Sequence, residues 1–294
     1  MSSAFPPLAG AAQPAGNVMW RRFRRHRSGM IGLVALSLIV LLVIVVPLVS
    51  PLDPNYIDLA QIEAPPSVRH WLGTDELGRD VFTRLIYGGQ VSVLVAFSAT
   101  LLQLTIGVTL GGIAGYFGKG IDAVIMRFTD IIMCFPFYAI AITLAGILGA
   151  STWNVVVIIG VLNWTGIARL VRAEFLSLSR QEYVDAARVM AVGHGRIIFR
   201  HLLPNALGPV IVYATLAVAT GILAEAALSF LGLGVKQPTA SWGNMLSAAQ
   251  SMRVLGNAWW LWLPPGLMVF VMVLSINFIG DALKQAFDPS SPPA

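Results

Sequence analysis

Long stretches of this chain run without a single charged side chain: Ser28–Leu52, Leu85–Gly118, Ile131–Ala168 and Val254–Gly280, with Leu202–Ala224 as a fifth. Each is long enough for one helix to cross a hydrocarbon core about 30 Å thick, which takes roughly 20 residues. Backbone groups in lipid must be satisfied within the protein, which leaves helices or closed barrels. Continuous apolarity without two-residue alternation selects helices. Ile131–Ala168 is too long for one span and holds a polar, small-residue break, Gly149-Ala150-Ser151-Thr152-Trp153-Asn154. Six spans are therefore expected, at Gly29–Val49, Val91–Tyr116, Ile121–Leu148, Trp153–Leu170, Ala206–Ser229 and Trp259–Leu283.

The remaining charges are scarce, 11% of residues, where a soluble domain carries about 25%. An ordinary soluble domain and a disordered chain are both excluded. An even number of spans puts both termini on one side. With the termini inside, the inner segments hold Arg21, Arg22, Arg24, Arg25, Arg27, Lys119, Arg127, Arg169, Arg172, Arg180, Arg188, Arg196, Arg200 and Lys284. The outer segments hold only Arg69, Arg79, Arg84, Lys236 and Arg253. That asymmetry places the termini in the cytoplasm. The net charge of +5 then reflects topology and lipid headgroups, not nucleic acid.

The N-terminal apolar run exceeds the core of a secretory signal and lacks an A-x-A-like site, so it reads as a retained first helix. Arg21-Arg22, within a cluster of five arginines, reads as a cytoplasmic anchor and not as a twin-arginine signal. The single cysteine, Cys134, excludes an intrachain disulfide, and His26, His70, His194 and His201 show no metal-ligand spacing.

The expected organisation is a cytoplasmic tail (1–28, with 1–20 disordered), a first span (29–49), an outer segment (50–90) and a five-helix core (91–283), then a second tail (284–294). Within the core lie a cytoplasmic loop (171–205) and an outer segment (230–258). In the loop, Tyr183, Ala186, Ala187 and Met190 fall at i, i+3, i+4 and i+7, one stripe of a helix, with Asp185 and Arg188 opposite. Gly193 and Gly195 would end that helix, and a second, Arg196–Leu203, would stop at Pro204. The result is an amphipathic helical hairpin, either shaped to enter a groove on another protein or resting on the membrane surface.

The segment Glu182 to Asn205 resembles the EAA loop of ATP-binding-cassette importer permeases. Asp185 stands for the motif acid, Ala186-Ala187 follow it, and Leu203-Pro204 close it. The family's glycine aligns with Ala191, so Gly193 is expected to break the helix two residues later. Trp71-Leu72-Gly73-Thr74-Asp75-Glu76-Leu77-Gly78-Arg79-Asp80 resembles the LGTD-x-x-GRD signature of the second (C-type) permease of dipeptide, oligopeptide and nickel importers. Glu225 to Gly234, followed by Trp242-Gly243-Asn244-Met245-Leu246, is similar to that subunit's fifth-span exit.

The resemblance implies an all-α, six-span permease of the type I importer fold in a bacterial or archaeal cytoplasmic membrane. It implies a heterodimer with a homologous permease, two cytoplasmic ATPase subunits and an extracytoplasmic binding protein, with di- or oligopeptides as cargo and nickel, glutathione or oligosaccharide as alternatives. It also implies that Glu182, Tyr183, Asp185, Ala186, Ala187, Arg188, Met190, Gly193 and Pro204 couple to the ATPases. ATP and magnesium would reside on those partners, with no cofactor or metal on this chain and no catalytic residue. A phosphate-binding loop fails here because Ile121 and Asp122 follow Gly115 and Gly120 in place of Lys and Ser/Thr. Gly88-Gly89-Gln90 resembles a cassette signature by coincidence. An ATP-independent channel or secondary transporter is the competing class; it predicts no such hairpin and more charge within the spans. A membrane-embedded enzyme would need a catalytic constellation that this sequence lacks.

Asp75 to Asp80 is expected to form a short helix capped by Thr74. Asp75, Arg79 and Asp80 either contact the binding protein or partner permease, or brace the structure, with Arg79 paired to Asp75 or Asp80. His70 with Asp75 and Asp80 is weakly conceivable as a nickel cluster. Glu225, Asn163 and Asn277 are candidates for the pathway or its gate, against structural packing roles; Trp164 shares that choice. Arg127 and Asp130 are expected to pair or snorkel.

Overall fold

The computed structural model describes residues 15–49 and 52–287. The outer parts of both predicted tails, 1–14 and 288–294, lie outside them, as do Ser50 and Pro51. The described chain is helical: α1 (Ala15–Arg25), α2 (Arg27–Val49), α3 (Val81–Phe117), α4 (Lys119–Met133), α5 (Phe137–Leu148), α6 (Thr152–Leu178), α7 (Glu182–Val189), α8 (His194–Ile197), α9 (Leu203–Phe230), α10 (Trp242–Leu246), α11 (Met252–Asn257) and α12 (Trp259–Phe287). Five rods are long and apolar enough to cross a membrane: α2, α3, α6, α8 through α9, and α12. The pair α4 and α5 brings the number to six if it forms one span.

Several boundaries correct the sequence reading. The segment expected to be disordered is helical from Ala15 onward, its polar face carrying the arginine cluster. α3 begins at Val81, ten residues before Val91, because Asp80 caps it: its carboxylate accepts the Thr83 N–H at 2.7 Å and the Thr83 hydroxyl at 2.8 Å. Arg84, assigned to the outer segment by its charge, is thereby a buried residue of the first turn. The third span is not continuous. α4 and α5 meet at Cys134-Phe135-Pro136 with a bend of 82°. Pro136 has no N–H to continue the ladder and biases Phe135 away from helical geometry.

α3 is the central post, packed along α6 and crossed by α9, while α12 packs against α2 and α9. Gly107, Gly111 and Gly115 repeat at four-residue spacing on the α3 face toward α6. A Cβ on Gly111 would lie 2.3 Å from the Ala168 carbonyl oxygen, so the two backbones touch there. Three buried clusters stack along the bundle. One holds Trp242, Val81, Leu85 and Ile222. A middle one holds Val95, Ile158, Ile159 and Leu228. The third holds Phe175, Val184, Ile197 and Leu202. The first lies at the end formed by residues 52–80 and 231–258, the cap end. The third lies at the opposite, hairpin end.

Candidate functional site

At the hairpin end, α6 runs to Leu178, eight residues beyond the expected span, and α7 follows after a short turn. Glu182 and Asp185 sit in the first turn of α7, where carboxylates favour the helix dipole. α7 ends at Val189, and the chain breaks away at Ala191, not at Gly193. The Val192 N–H donates to the Ala187 carbonyl at 3.0 Å and the Ala191 N–H to the Arg188 carbonyl at 3.0 Å, the two bonds of a Schellman motif. Ala191 occupies the left-handed position, φ +53°, that glycine fills at lowest cost. The alanine substitutes for the motif glycine without moving the break. Gly193, at φ −60°, instead begins α8.

The second arm also differs from expectation. It does not stop at Pro204. α8, a π turn over Ile198–Leu202 and α9 form one rod of 37 residues. The Leu203 N–H reaches back to the Ile198 carbonyl, a five-residue step. This widened turn immediately precedes Pro204, which enters α9 at its first positions, where a missing N–H is tolerated.

The predicted stripe splits in two. Ala187 is buried with Val184 against Phe175, Ile197 and Leu202, which roots α7 in the bundle. Tyr183, Ala186 and Met190 stay on the surface, Met190 at 76% exposure, with Val189 and Phe199 also exposed. Arg188 donates to the Ser179 carbonyl at 3.1 Å and to Asp185 at 2.9 Å, fastening α7 to the end of α6. Its guanidinium lies 6.0 Å from the Tyr116 ring centroid, and the Tyr116 hydroxyl is 2.7 Å from His194 Nδ1. At the base of α4, Asp122 pairs with Arg172 and Asp130 pairs with Arg169 at 2.5 Å. Asp130 is thus held across helices and not by Arg127.

At the cap end, Thr74 to Asp80 is a tight turn, not a helix. Thr74 and Asp80 form a bridge, the Gly78 N–H donates to the Asp75 carbonyl at 2.9 Å, and the Asp75 N–H donates to the Arg79 carbonyl at 2.9 Å. Gly78 explains the choice. Its φ is +75°, and a Cβ there would lie 2.0 Å from the Asp58 carbonyl oxygen. Thr74 is fully buried, donating to the Gln61 carbonyl and accepting from the Ala64 N–H.

Asp75 gathers the turn. One carboxylate oxygen accepts the Leu77 and Arg79 N–H groups at 2.9 Å each. The other takes Arg79 Nε at 2.7 Å, with Arg84 Nε at 3.5 Å. The same arginines reach the second cap segment, Arg79 to the Gln237 side chain and Arg84 to the Pro238 carbonyl, and Arg84 also holds the Pro54 carbonyl of the first. Asp80 pairs with His70 Nδ1 at 2.9 Å. The carboxylates imagined around a metal are therefore engaged with arginines, a histidine and the chain itself. No group of three or more potential ligands converges among the described residues. Glu63 and Arg253 bridge the two cap segments through two contacts of 2.5 Å. Those hydrogen bonds hold the Glu63 carboxyl below its ordinary range, against the opposing effect of partial burial. The same contact raises Arg253.

Glu225 is fully buried. It accepts hydrogen bonds from the hydroxyls of Ser92 on α3 at 2.9 Å and Ser229 on its own helix at 2.7 Å. Each serine oxygen in turn accepts a backbone N–H, from Trp242 and Val235 respectively. The Trp242 indole donates to the Leu85 carbonyl at 2.8 Å. Its ring also explains Gly88-Gly89: a Cβ on Gly89 would meet it at 2.7 Å. Ser241 and Asn244 close a capping box on α10. Sequence reasoning passed over Ser92 and Ser241, whose only signal was small polar residues flanking Gly-Gly and Trp-Gly pairs, and quoted Trp242 only as part of the fifth-span exit.

The three pathway candidates are not brought together. Asn163 donates to the Ile159 carbonyl at 3.1 Å and lines a cavity of about 170 Å³ with Phe135 and Phe137 at the α4–α5 bend. Asn277 donates to the Val273 carbonyl of its own helix at 2.8 Å. Trp164 is buried, its ring stacked 6.1 Å from that of Phe128.

Comparison with known proteins gives a consistent result. Residues 107–291 match the family described as binding-protein-dependent transport system inner membrane component. Residues 16–66 match the N-terminal TM domain of oligopeptide transport permease C. A putative peptide permease protein of Brucella suis is 49% identical over 83% of this chain and 80% of its own length. The dipeptide transport system permease protein DppC of Alkalihalophilus pseudofirmus is 46% identical over 76% of this chain and 73% of its own. In fold, the chain resembles a chain of the inward-facing MetNI methionine ABC transporter, with a TM-score of 0.58 and 19% identity, covering 71% of this chain and 98% of that one.

Proposed function

The chain belongs to the binding-protein-dependent transport system inner membrane components, and from that premise we propose that it forms one half of a translocation pathway for short peptides. It is a multi-pass inner-membrane permease subunit of the ATP-binding-cassette importers. Its partners in this reading are a homologous permease, two cytoplasmic ATPase subunits that carry ATP and magnesium, and a binding protein delivering cargo on the far side. The hairpin end and both termini face the cytoplasm.

The observation that carries the reading is the split face of α7. Val184 and Ala187 anchor the helix inward, while Tyr183, Ala186 and Met190 form an apolar surface with Glu182 and Asp185 on its rim. A short helix so held is suited to a groove on another protein, with rim charges setting its orientation. Ala187 serves as anchor, Ala186 as the point of close approach, and Arg188 as the internal fastening. The cap end is the contact surface for the binding protein and the partner permease, with Asp75, Arg79 and Asp80 shaping it from within. Glu225 braces α3, α9 and α10, and Asn163, beside the α4–α5 bend, borders the moving part of the pathway.

The test is Ala186→Arg. The variant is expected to insert normally and to lose co-purification with the ATPase subunits. Full ATP-driven peptide uptake by this variant would sink the docking assignment.

A further inference from the structure

A cavity of about 740 Å³ opens at the cap end where α2 leaves the apolar layer. Val46, Leu52, Trp71 and Phe82 form its apolar side, and Asp53, Arg69, His70 and Asp80 its polar side. Val46 lies one turn before the end of a span whose neighbouring Leu48 and Val49 are about 80% exposed. Tyr56 and Trp71 are largely exposed at its mouth, aromatic residues at the depth where such side chains meet headgroups. The cavity thus crosses the boundary between hydrocarbon and water.

The charges on the polar side are not equivalent. Asp80 is used up, with one oxygen on Thr83 and the other on His70. Asp53 accepts the Asn55 N–H with one oxygen, and the other has no partner among the described residues. Arg69 is exposed, without an ion pair or hydrogen bond among the described residues. His70 offers its Nδ1 to Asp80, and its Nε2 is buried, with no hydrogen-bond partner among the described residues. One guanidinium beside one available carboxylate complements a ligand bearing both a phosphate and an ammonium, not a purely anionic one.

We propose that this cavity is a headgroup site for a zwitterionic phospholipid with a primary amine, of the phosphatidylethanolamine class. Arg69 takes the phosphodiester, the ammonium donates to Asp53, and an acyl chain runs along Val46, Leu52 and Phe82. The lipid would then seal the seam between the first span and the cap turn.

The experiment is native mass spectrometry of the assembled transporter, offered phosphatidylethanolamine, phosphatidylcholine and phosphatidylglycerol in equal amounts. Phosphatidylethanolamine is expected to be retained over the other two. Arg69→Ala and Asp53→Asn should each lower its retention about tenfold, as loss of one charge-assisted contact does. Lys236→Ala, on the cap but outside the cavity, should leave it unchanged. Preference for phosphatidylglycerol, equal retention of all three lipids, or unaltered retention by Arg69→Ala would overturn the assignment. So would loss of the partner permease from Arg69→Ala in place of lipid, which would make the cavity a protein interface.

Discussion

The two ends of this bundle are built by opposite means. The cap end is fixed by polar detail: Asp75 receives two backbone donors and an arginine, Thr74 and Glu225 are fully buried yet bonded, and Gly78 sits where no side chain fits. The hairpin end is seated by a few apolar side chains, with exposed apolar groups on its other face. Buried polar networks specify one geometry because every member must be satisfied. An apolar anchor holds position while leaving the outer face available. The contrast suggests a rigid surface at one end and a dockable element at the other.

The sharpest way to break that comparison is to compare two glycines. Gly78→Val would place a β-branched side chain at φ +75° against the Asp58 carbonyl, at a cost of about 3 kcal/mol or more. Gly193→Val, at φ −60° with open space around its Cβ, should be tolerated. Thermal unfolding of the purified protein distinguishes them, and equal losses would erase the distinction. Next in size, Ala187→Arg should loosen the hairpin by about 2–3 kcal/mol through overpacking at the anchor. Hydrogen exchange over residues 182–203 would report it, and Ala186→Arg should leave that exchange as in the parent. A smaller effect of opposite sign is expected from Ala191→Gly, which relieves the left-handed alanine and should stabilise the hairpin by about 1 kcal/mol. Protection at Val192 is its readout.

The smallest effect belongs to the Glu63–Arg253 bridge, whose guanidinium is mostly exposed and whose attraction is screened. The folded carboxyl titrates below its unfolded value. Its contribution is therefore complete above about pH 4.3, the unfolded value, and is lost as pH falls through the lower folded value. Protection of the amides around residues 59–65, taken relative to their intrinsic exchange at each pH, should fall on acidification below that point. Glu63→Gln should show the faster exchange already at neutral pH and no further acid step.

Much of the architecture was legible because lipid allows few solutions. Charge-free runs gave the spans, and the loop between the fourth and fifth revealed its helical period. Three of the misplacements share one cause: each was decided by a partner distant in sequence. Arg84 looked like a loop charge, but carbonyls at Pro54 and Pro238 let it enter a helix buried. Asp75 to Asp80 carried helix-start residues, yet Gly78 lies against Asp58 and bends them into a turn. Ala187 shared a stripe with Ala186 until the position of Phe175 and Leu202 turned it inward. The bend at Pro136 was visible only as one proline in an apolar run. Ala191 was aligned with the motif glycine, yet alanine alone did not disclose that the backbone keeps the glycine's conformation.

The continuity of α8, the π turn and α9 has a mechanical consequence. At 1.5 Å per residue the rod is about 55 Å long. It begins against the buried face of α7 and ends just beyond the serine that holds Glu225. A lever made in one piece has no backlash: a tilt imposed at His194 reappears at Ser229 scaled by the ratio of its arms. The change of hydrogen-bond register at Ile198–Leu202 lies near the driven end, and Pro209 removes one further backbone bond early in the longer arm.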